Sequence, residues 1–119
     1  MSPTPPPRQA AKAVGWRGTS LRDVAAFPED ARRLAGYQLW LLQQGKQADD
    51  WKPMSTVGAG AIEIRIRIGR AYRVFVITKF EEAIYVLHAF EKKSHKTPKA
   101  DIDLAAKQYR ELIAERQNR

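Results

Sequence analysis

Between Ile62 and Ile68 apolar and charged residues alternate without a break, with Ile62, Ile64, Ile66 and Ile68 on one parity and Glu63, Arg65 and Arg67 on the other. A period of two is the signature of a strand with one buried face. Gly69 interrupts the run. From Tyr72 to Lys79 the chain is apolar on both parities apart from Arg73 and Lys79, which suits a strand with a neighbour on either side. Ala83 to Phe90 follows with the same β-branched and aromatic richness. Taking Gly69, Arg70 and Ala71 as the first connection pairs Ile68 with Tyr72, sets the isoleucine row beside Tyr72, Val74 and Val76, and brings Arg67 opposite Arg73. Two like charges directly opposite cost up to about 1 kcal/mol, so this register asks for a carboxylate such as Glu63 or for an anionic guest.

Helical periodicity brackets this meander. After a short strand over Val14 to Arg17, Thr19 or Ser20 begins a helix through Leu21, Val24, Ala25 and Phe27, with Ser20 and Asp23 at capping-box spacing. Pro28, Glu29 and Asp30 open a second helix whose apolar stripe is Ala31, Leu34, Ala35, Tyr37, Leu41 and Leu42, and Gly45 stops it. Gln47 to Gly60 reads as a turn-rich connection. Near the end, Thr97 and Pro98 supply the cap and first residue of a last helix, with Asp101 and Asp103 at its positive end. Its buried stripe is Ile102, Ala105, Ala106, Tyr109, Leu112 and Ile113, leaving Lys107, Arg110 and Arg116 outside. The predicted class is α+β: an N-terminal helical hairpin, an antiparallel sheet of three or four strands, and a C-terminal helix.

Length and composition narrow the choices. A chain of 119 residues is one domain, able to bury roughly two-thirds of the surface its unfolded form exposes. The proline-rich residues 1–12 lack the apolar bulk to pack and are expected to be a disordered leader, with a single domain over 13–119. There is no cysteine, so a disulfide framework and a thiolate metal site are excluded. No apolar run approaches the ~20 residues of a membrane helix and nothing resembles a signal peptide, so the expected location is cytoplasmic, with no membrane partner. Twenty-one Lys and Arg against 13 Asp and Glu give a formal charge of +8, and polyanions are the natural partners of such a surface.

Candidate chemistry follows from what is present. His88 and His95 are the only histidines and lack ligand spacing or a carboxylate cluster, so neither a metal nor another cofactor is expected. Gly58 to Ala61 precedes a strand, the wrong context for a phosphate-cradling loop. What remains is a set of cations: Arg65, Arg67 and Arg73 on the sheet, then Lys92, Lys93, His95, Lys96 and Lys99 just beyond it. Cleaving RNA without a metal needs a base for the ribose 2′-hydroxyl, charge stabilisation at phosphorus and an acid for the departing 5′-oxygen. Arginine forks suit the phosphate; Glu63, a histidine, or a lysine whose pKa is lowered by crowded cations can take the proton. The plainer reading makes these arginines a solubilising face, and the chain a non-enzymatic basic module that binds nucleic acid or a protein partner. His88, on an apolar strand, is expected to join Val86 and Ile84 toward the core as a satisfied buried histidine, with phosphate binding as its other role. Trp51 and Tyr85 are read as packing residues first and base-stacking residues second.

The runs DWKPMSTVGAGAIEIRI and AYRVFVITKFEEAIYVLHAFEKKSHKTPKADIDLA, with FPEDARRLAGYQL upstream, resemble the phage-derived HigB-like branch of the RelE toxin superfamily, and the likeness spans nearly everything from about Val14 onward. The resemblance implies a RelE-like fold, with helices on one face of the sheet and a basic face offered to RNA. It also implies the toxin of a type II toxin–antitoxin pair, a ribosome-dependent endoribonuclease (mRNA interferase) that inhibits translation. Its partners would be mRNA, the ribosome and a cognate helix-turn-helix, HigA-like antitoxin, with operator DNA reached only through that antitoxin. By the same resemblance Tyr72 and Arg73 match the family's tyrosine-arginine pair, Arg73 being the phosphate-contacting arginine. Lys92 and Lys93 match its basic residues after the last strand, and Arg65, with Glu63 beside it as a possible base, its basic position on the preceding strand. Arg67, His95, Lys96, Lys99 and His88 are the remaining RNA-binding candidates.

Overall fold

The isoleucine alternation forms the strand β3 (Ala61–Ile68), which is paired on both sides. In the computed structural model, which describes residues 11–118, the elements run β1 (Ala13–Trp16), α1 (Ser20–Ala25), α2 (Glu29–Gln43), β2 (Trp51–Pro53), β3, β4 (Arg70–Ile77), β5 (Ala83–Lys92) and α3 (Lys99–Gln117). The strands make one mixed sheet in the order β1-β5-β4-β3-β2, with β1 parallel to β5 and every other pair antiparallel. The α+β class holds, with five strands in place of three or four. Neither the parallel edge β1 nor the short β2, hidden in a turn-rich stretch, has a pattern long enough to declare its pairing.

The register between β3 and β4 is tighter than the sequence suggested. Gly69 adopts φ +70, so the chain reverses there and Arg70 and Ala71 join the strand. Ile68 therefore pairs with Arg70, and Arg65 rather than Arg67 stands opposite Arg73. The correction is a shift of two residues along the partner strand, which preserves faces: Ile62, Ile64 and Ile66 still lie across from Val76, Val74 and Tyr72.

Helices cover both faces, in contrast to the one-faced packing that the resemblance implied. On one side Val24, Phe27, Ala31, Ala35, Leu39 and Leu42 from α1 and α2 pack on Ile64, Ile66, Val74, Val76 and Val86. Burying each of the valine, leucine, isoleucine and phenylalanine side chains contributes roughly 1.5–3 kcal/mol. On the other, Ala105 and Leu112 of α3, with Ile102 and Tyr109, pack on Phe75, Ile77, Tyr85 and Leu87. α3 begins near His88, so it does not reach the part of this face that carries Arg65, Arg73 and Lys92, and Arg65 and Lys92 stay partly exposed there. Leu34 and Tyr37, placed in the buried stripe of α2 by periodicity, are exposed, while Gln38 and Leu39 are buried. Arg116 lies over the Phe80 ring at 3.7 Å and pairs with Glu82, so it is not a free outer residue.

Two predicted caps do other work. Ser20 Oγ donates to the Val86 carbonyl (3.1 Å), tying α1 to β5, and Thr19 Oγ1 bonds Asp23 (2.7 Å). Thr97 is displaced from the cap of α3, whose N-cap is Pro98. Gly45 does terminate α2: the amides of Gly45 and Lys46 donate to Leu42 and Leu41, a Schellman closure with Gly45 at φ +78. Residues 1–10 of the expected leader lie outside the described residues; Lys12 Nζ donates to the Thr78 carbonyl (2.9 Å) and Gln43 Nε2 to the Lys12 carbonyl (2.7 Å). Among the described residues no helix is long and apolar enough to cross a membrane.

Candidate functional site

A strand places alternate side chains on opposite faces, so β3 sets Glu63, Arg65 and Arg67 on the α3 side and β4 sets Arg73 beside them. β5 follows the same rule only after an irregularity. Phe75 pairs with His88 and Val76 with Val86, leaving Leu87 as the extra residue of a bulge. That bulge reverses the parity of β5. His88, Phe90 and Lys92 therefore face the arginines, and His88 leaves the side of Ile84 and Val86 that the unbroken alternation predicted.

At the centre is a buried carboxylate. Glu63 is 1% exposed, and its Oε1 lies 3.2 Å from Arg65 Nε, 3.5 Å from Arg73 Nε and 3.9 Å from Lys52 Nζ. Thr97 Oγ1 donates to its other oxygen at 3.4 Å, bringing the loop after β5 across the cluster. Glu63 is the counterion that the facing arginine pair required: a carboxylate stripped of water survives only when paired. Arg73 is also buried, 4% exposed, and its Nε sits at ion-pair distance from Glu63 without hydrogen-bond alignment, while Nη1 donates to the Tyr72 carbonyl (3.1 Å). Arg65 and Lys52, with side chains 27% and 45% exposed, form the accessible rim.

Crowding shifts the cations. Burial lowers the Arg73 pKa, Glu63 opposes that, and Arg65 and Arg67 lower it further. Lys92 is lowered as well, by burial first and then by Arg73, with Glu63 again opposing. Its place on the same face of β5 and the charges that act on it make Lys92 a member of the cluster, and its lowered pKa gives it a larger neutral fraction than an isolated surface lysine has.

The other candidates fall elsewhere. Lys93 is exposed and pairs with Glu91 (3.7 Å), which also holds Arg70 (3.1 Å), so it does not converge with Arg65 and Arg73. Arg67 leans toward Asp50 (3.8 Å) at the edge of the patch. His95, Lys96 and Lys99 are exposed on the loop after β5 and the first residue of α3. His88 Nε2 is 2.6 Å from Asp101 Oδ1, a satisfied histidine on the α3 side. Tyr72 is on the opposite face from Arg73, against Phe27. Tyr85 bonds Glu82 (2.9 Å) and packs with Phe80, and Trp51 packs at the margin of the helical core.

Lys52 and Thr97 are the site residues that sequence reasoning missed. Lys52 lies on β2, whose pairing of Lys52 with Glu63 has no sequence signature, and Thr97 had been assigned to helix capping. The charge alternation of β3 was the available signal that a cation from a neighbouring strand would be drawn to Glu63. Among the described residues no three His, Asp or Glu side chains gather as a metal site would require.

What the cluster offers chemically is an anion seat: three cations at ion-pair distance from one carboxylate, with Lys92 on the same face of β5, leave a net positive, partly desolvated surface. Comparison with curated proteins finds no match for the chain. Residues 22–110, which include all of this cluster, match the family model described as Phage derived protein Gp49-like (DUF891). The chain therefore belongs to that phage-derived family, a toxin-like family of the RelE/HigB type whose members would partner with an antitoxin.

Proposed function

We propose that this protein is the HigB-like toxin of a type II toxin–antitoxin system, an endoribonuclease that cuts mRNA on the translating ribosome without a metal ion. The observation that carries the reading is the convergence of Arg65, Arg73 and Lys52 on the buried Glu63, with Lys92 on the same face of the sheet. Arg65 and Lys52 hold the scissile phosphate; Arg73 and Glu63 lie beneath and fix the position and charge of the rim. Glu63 is too enclosed to meet a ribose, so its role is positioning, and Lys92 becomes the base. Its neutral amine takes the 2′-hydroxyl proton as the 2′-oxygen attacks phosphorus, and the P–O5′ bond breaks. The departing 5′-oxygen is protonated from the exposed loop, where His95 sits, leaving a 2′,3′-cyclic phosphate and a 5′-hydroxyl.

The partners in this reading are mRNA, the ribosome and a helix-turn-helix, HigA-like antitoxin, with operator DNA bound through the antitoxin. Expression of the intact chain should arrest growth and fragment mRNA, and co-expression of the antitoxin should relieve both. Arg65→Ala and Lys92→Ala should each abolish fragmentation while the protein still folds. Undiminished fragmentation in both variants would refute the assignment.

A further inference from the structure

A second concavity adjoins the cationic cluster and has no part in the chemistry above. It is a cleft of about 480 Å³ at the β5 edge, between the α1–α2 junction and the start of α3, within the range of small-ligand sites. β1 pairs with β5 only as far as Val86, so the later part of β5 has no strand on its outer side among the described residues. The Leu87 bulge aims His88 and Phe90 to one side of the strand while Glu91 and Tyr72 line the other.

Its walls are aromatic and its rim is polar. Phe27 and Tyr72 meet at 4.8 Å on one side. On the other, His88 stacks on Phe90 with ring centroids 5.6 Å apart and planes inclined by 20°, and the bond to Asp101 fixes the imidazole. Glu91 and Asp101 place carboxylates at the mouth, each side chain near one-quarter exposed; Arg70, also in the lining, holds Glu91 at 3.1 Å, and His88 holds one Asp101 oxygen at 2.6 Å, which leaves each carboxylate lone pairs to spare. Phe90 is also the direct cross-strand neighbour of Arg73, which stands opposite Arg65 on the next strand, so the cleft adjoins the strands that carry the anion seat.

A ligand that satisfies both places has a planar ring for the aromatic walls, hydrogen-bond donors for the carboxylates and an anion one strand away. We infer that the cleft seats one base of the RNA, next to the linkage held by Arg65, and favours bases with an exocyclic amino group over uracil. The inference rests on the RNA-binding part of the proposed function. Aromatic stacking tolerates any base; the carboxylates supply the discrimination, because the lone pairs left over by Arg70 and His88 accept from an exocyclic amino group, whereas the carbonyl oxygen that uracil presents in its place has no proton to give.

The test is equilibrium binding of fluorescein-labelled 2′-O-methyl oligonucleotides, which resist attack at the 2′ position, to the full chain. Each position of the oligonucleotide is varied in turn through A, C, G and U. At one position uracil should weaken binding at least about fivefold. Glu91→Gln, whose amide can donate to uracil, should shrink that ratio toward one, and Phe90→Leu should weaken all four bases alike. Equal affinity for the four bases at every position, or a ratio unmoved by Glu91→Gln, would overturn the inference. The two readings fail separately: a preference removed by Glu91→Gln in a chain that never cuts unmodified RNA sinks the nuclease and keeps the cleft. Cutting with indifferent binding sinks the cleft alone.

Discussion

Arg65 and Arg73 stand directly opposite one another on adjacent strands, and the Glu63 carboxylate, two residues before Arg65, reaches both at 3.2 and 3.5 Å. The repulsion of the pair and the desolvation of the carboxylate are each tolerable only because of the other. Removing Glu63 should therefore cost more than removing an ordinary surface charge. Breaking a buried pair from one side costs about 3–5 kcal/mol, so Glu63→Gln should lower the unfolding free energy by about 3 kcal/mol, read from the urea midpoint at unchanged m-value. In an Arg73→Met background the same change should cost less, because one of the cations left unpaired is gone. A loss under about 0.5 kcal/mol in the single variant would place Glu63 among ordinary surface residues.

Lys92 predicts a pH dependence in both stability and rate. Its pKa in the folded protein lies below 10.5 through burial and the Arg73 charge, and in the unfolded chain it takes its ordinary value. Between those two values the unfolded chain binds more protons, so stability rises with pH across that window, and the full cost of holding this half-buried cation beside Arg73 is felt below it. Lys92→Met should remove this rise and raise stability at neutral pH while suppressing RNA cleavage. The cleavage rate of the native chain should climb with pH to an inflection below 10.5, and Lys92→Arg, which holds its charge throughout, should lose that limb. Matching rate profiles for native and Lys92→Arg protein would remove Lys92 from the proton transfer.

Gly58 predicts a packing limit on the opposite half of the same face. A Cβ there would come within 2.5 Å of the Tyr109 ring, whose hydroxyl donates to the Ala59 carbonyl at 3.0 Å. Gly58→Ala should destabilise the protein by about 1–3 kcal/mol by lifting α3 from the β2–β3 turn. Combining it with Tyr109→Ala should cost less than the sum of the two changes, checked by thermal unfolding of the four proteins.

How far the residues announced this arrangement depends on parity. The two faces of β3 and β4 were legible because a period of two survives any even slip in register, so the basic face was found although Arg73 was paired with the wrong arginine. On β5 an odd insertion intervened. Nothing in VLHAF marks Leu87 as a bulge, and without it His88 falls among core residues and Lys92 parts from the arginines. Lys92 and Lys93 could not be ranked from sequence for the same reason. The cluster also draws on Lys52 from β2, a pairing specified by tertiary context. The resemblance, resting on long runs rather than on register, reached the family level that residues 22–110 support.

The chemistry of the cut ends reports most directly on how the RNA is cleaved. Purified intact chain is added to translating ribosomes in excess chelator, and the termini of the mRNA fragments are identified. A cationic seat that directs 2′-oxygen attack predicts 2′,3′-cyclic phosphates upstream and 5′-hydroxyls downstream, lost in Arg65→Ala. Fragments ending in 3′-hydroxyl and 5′-phosphate, or mRNA left intact by protein shown to be folded, would contradict it.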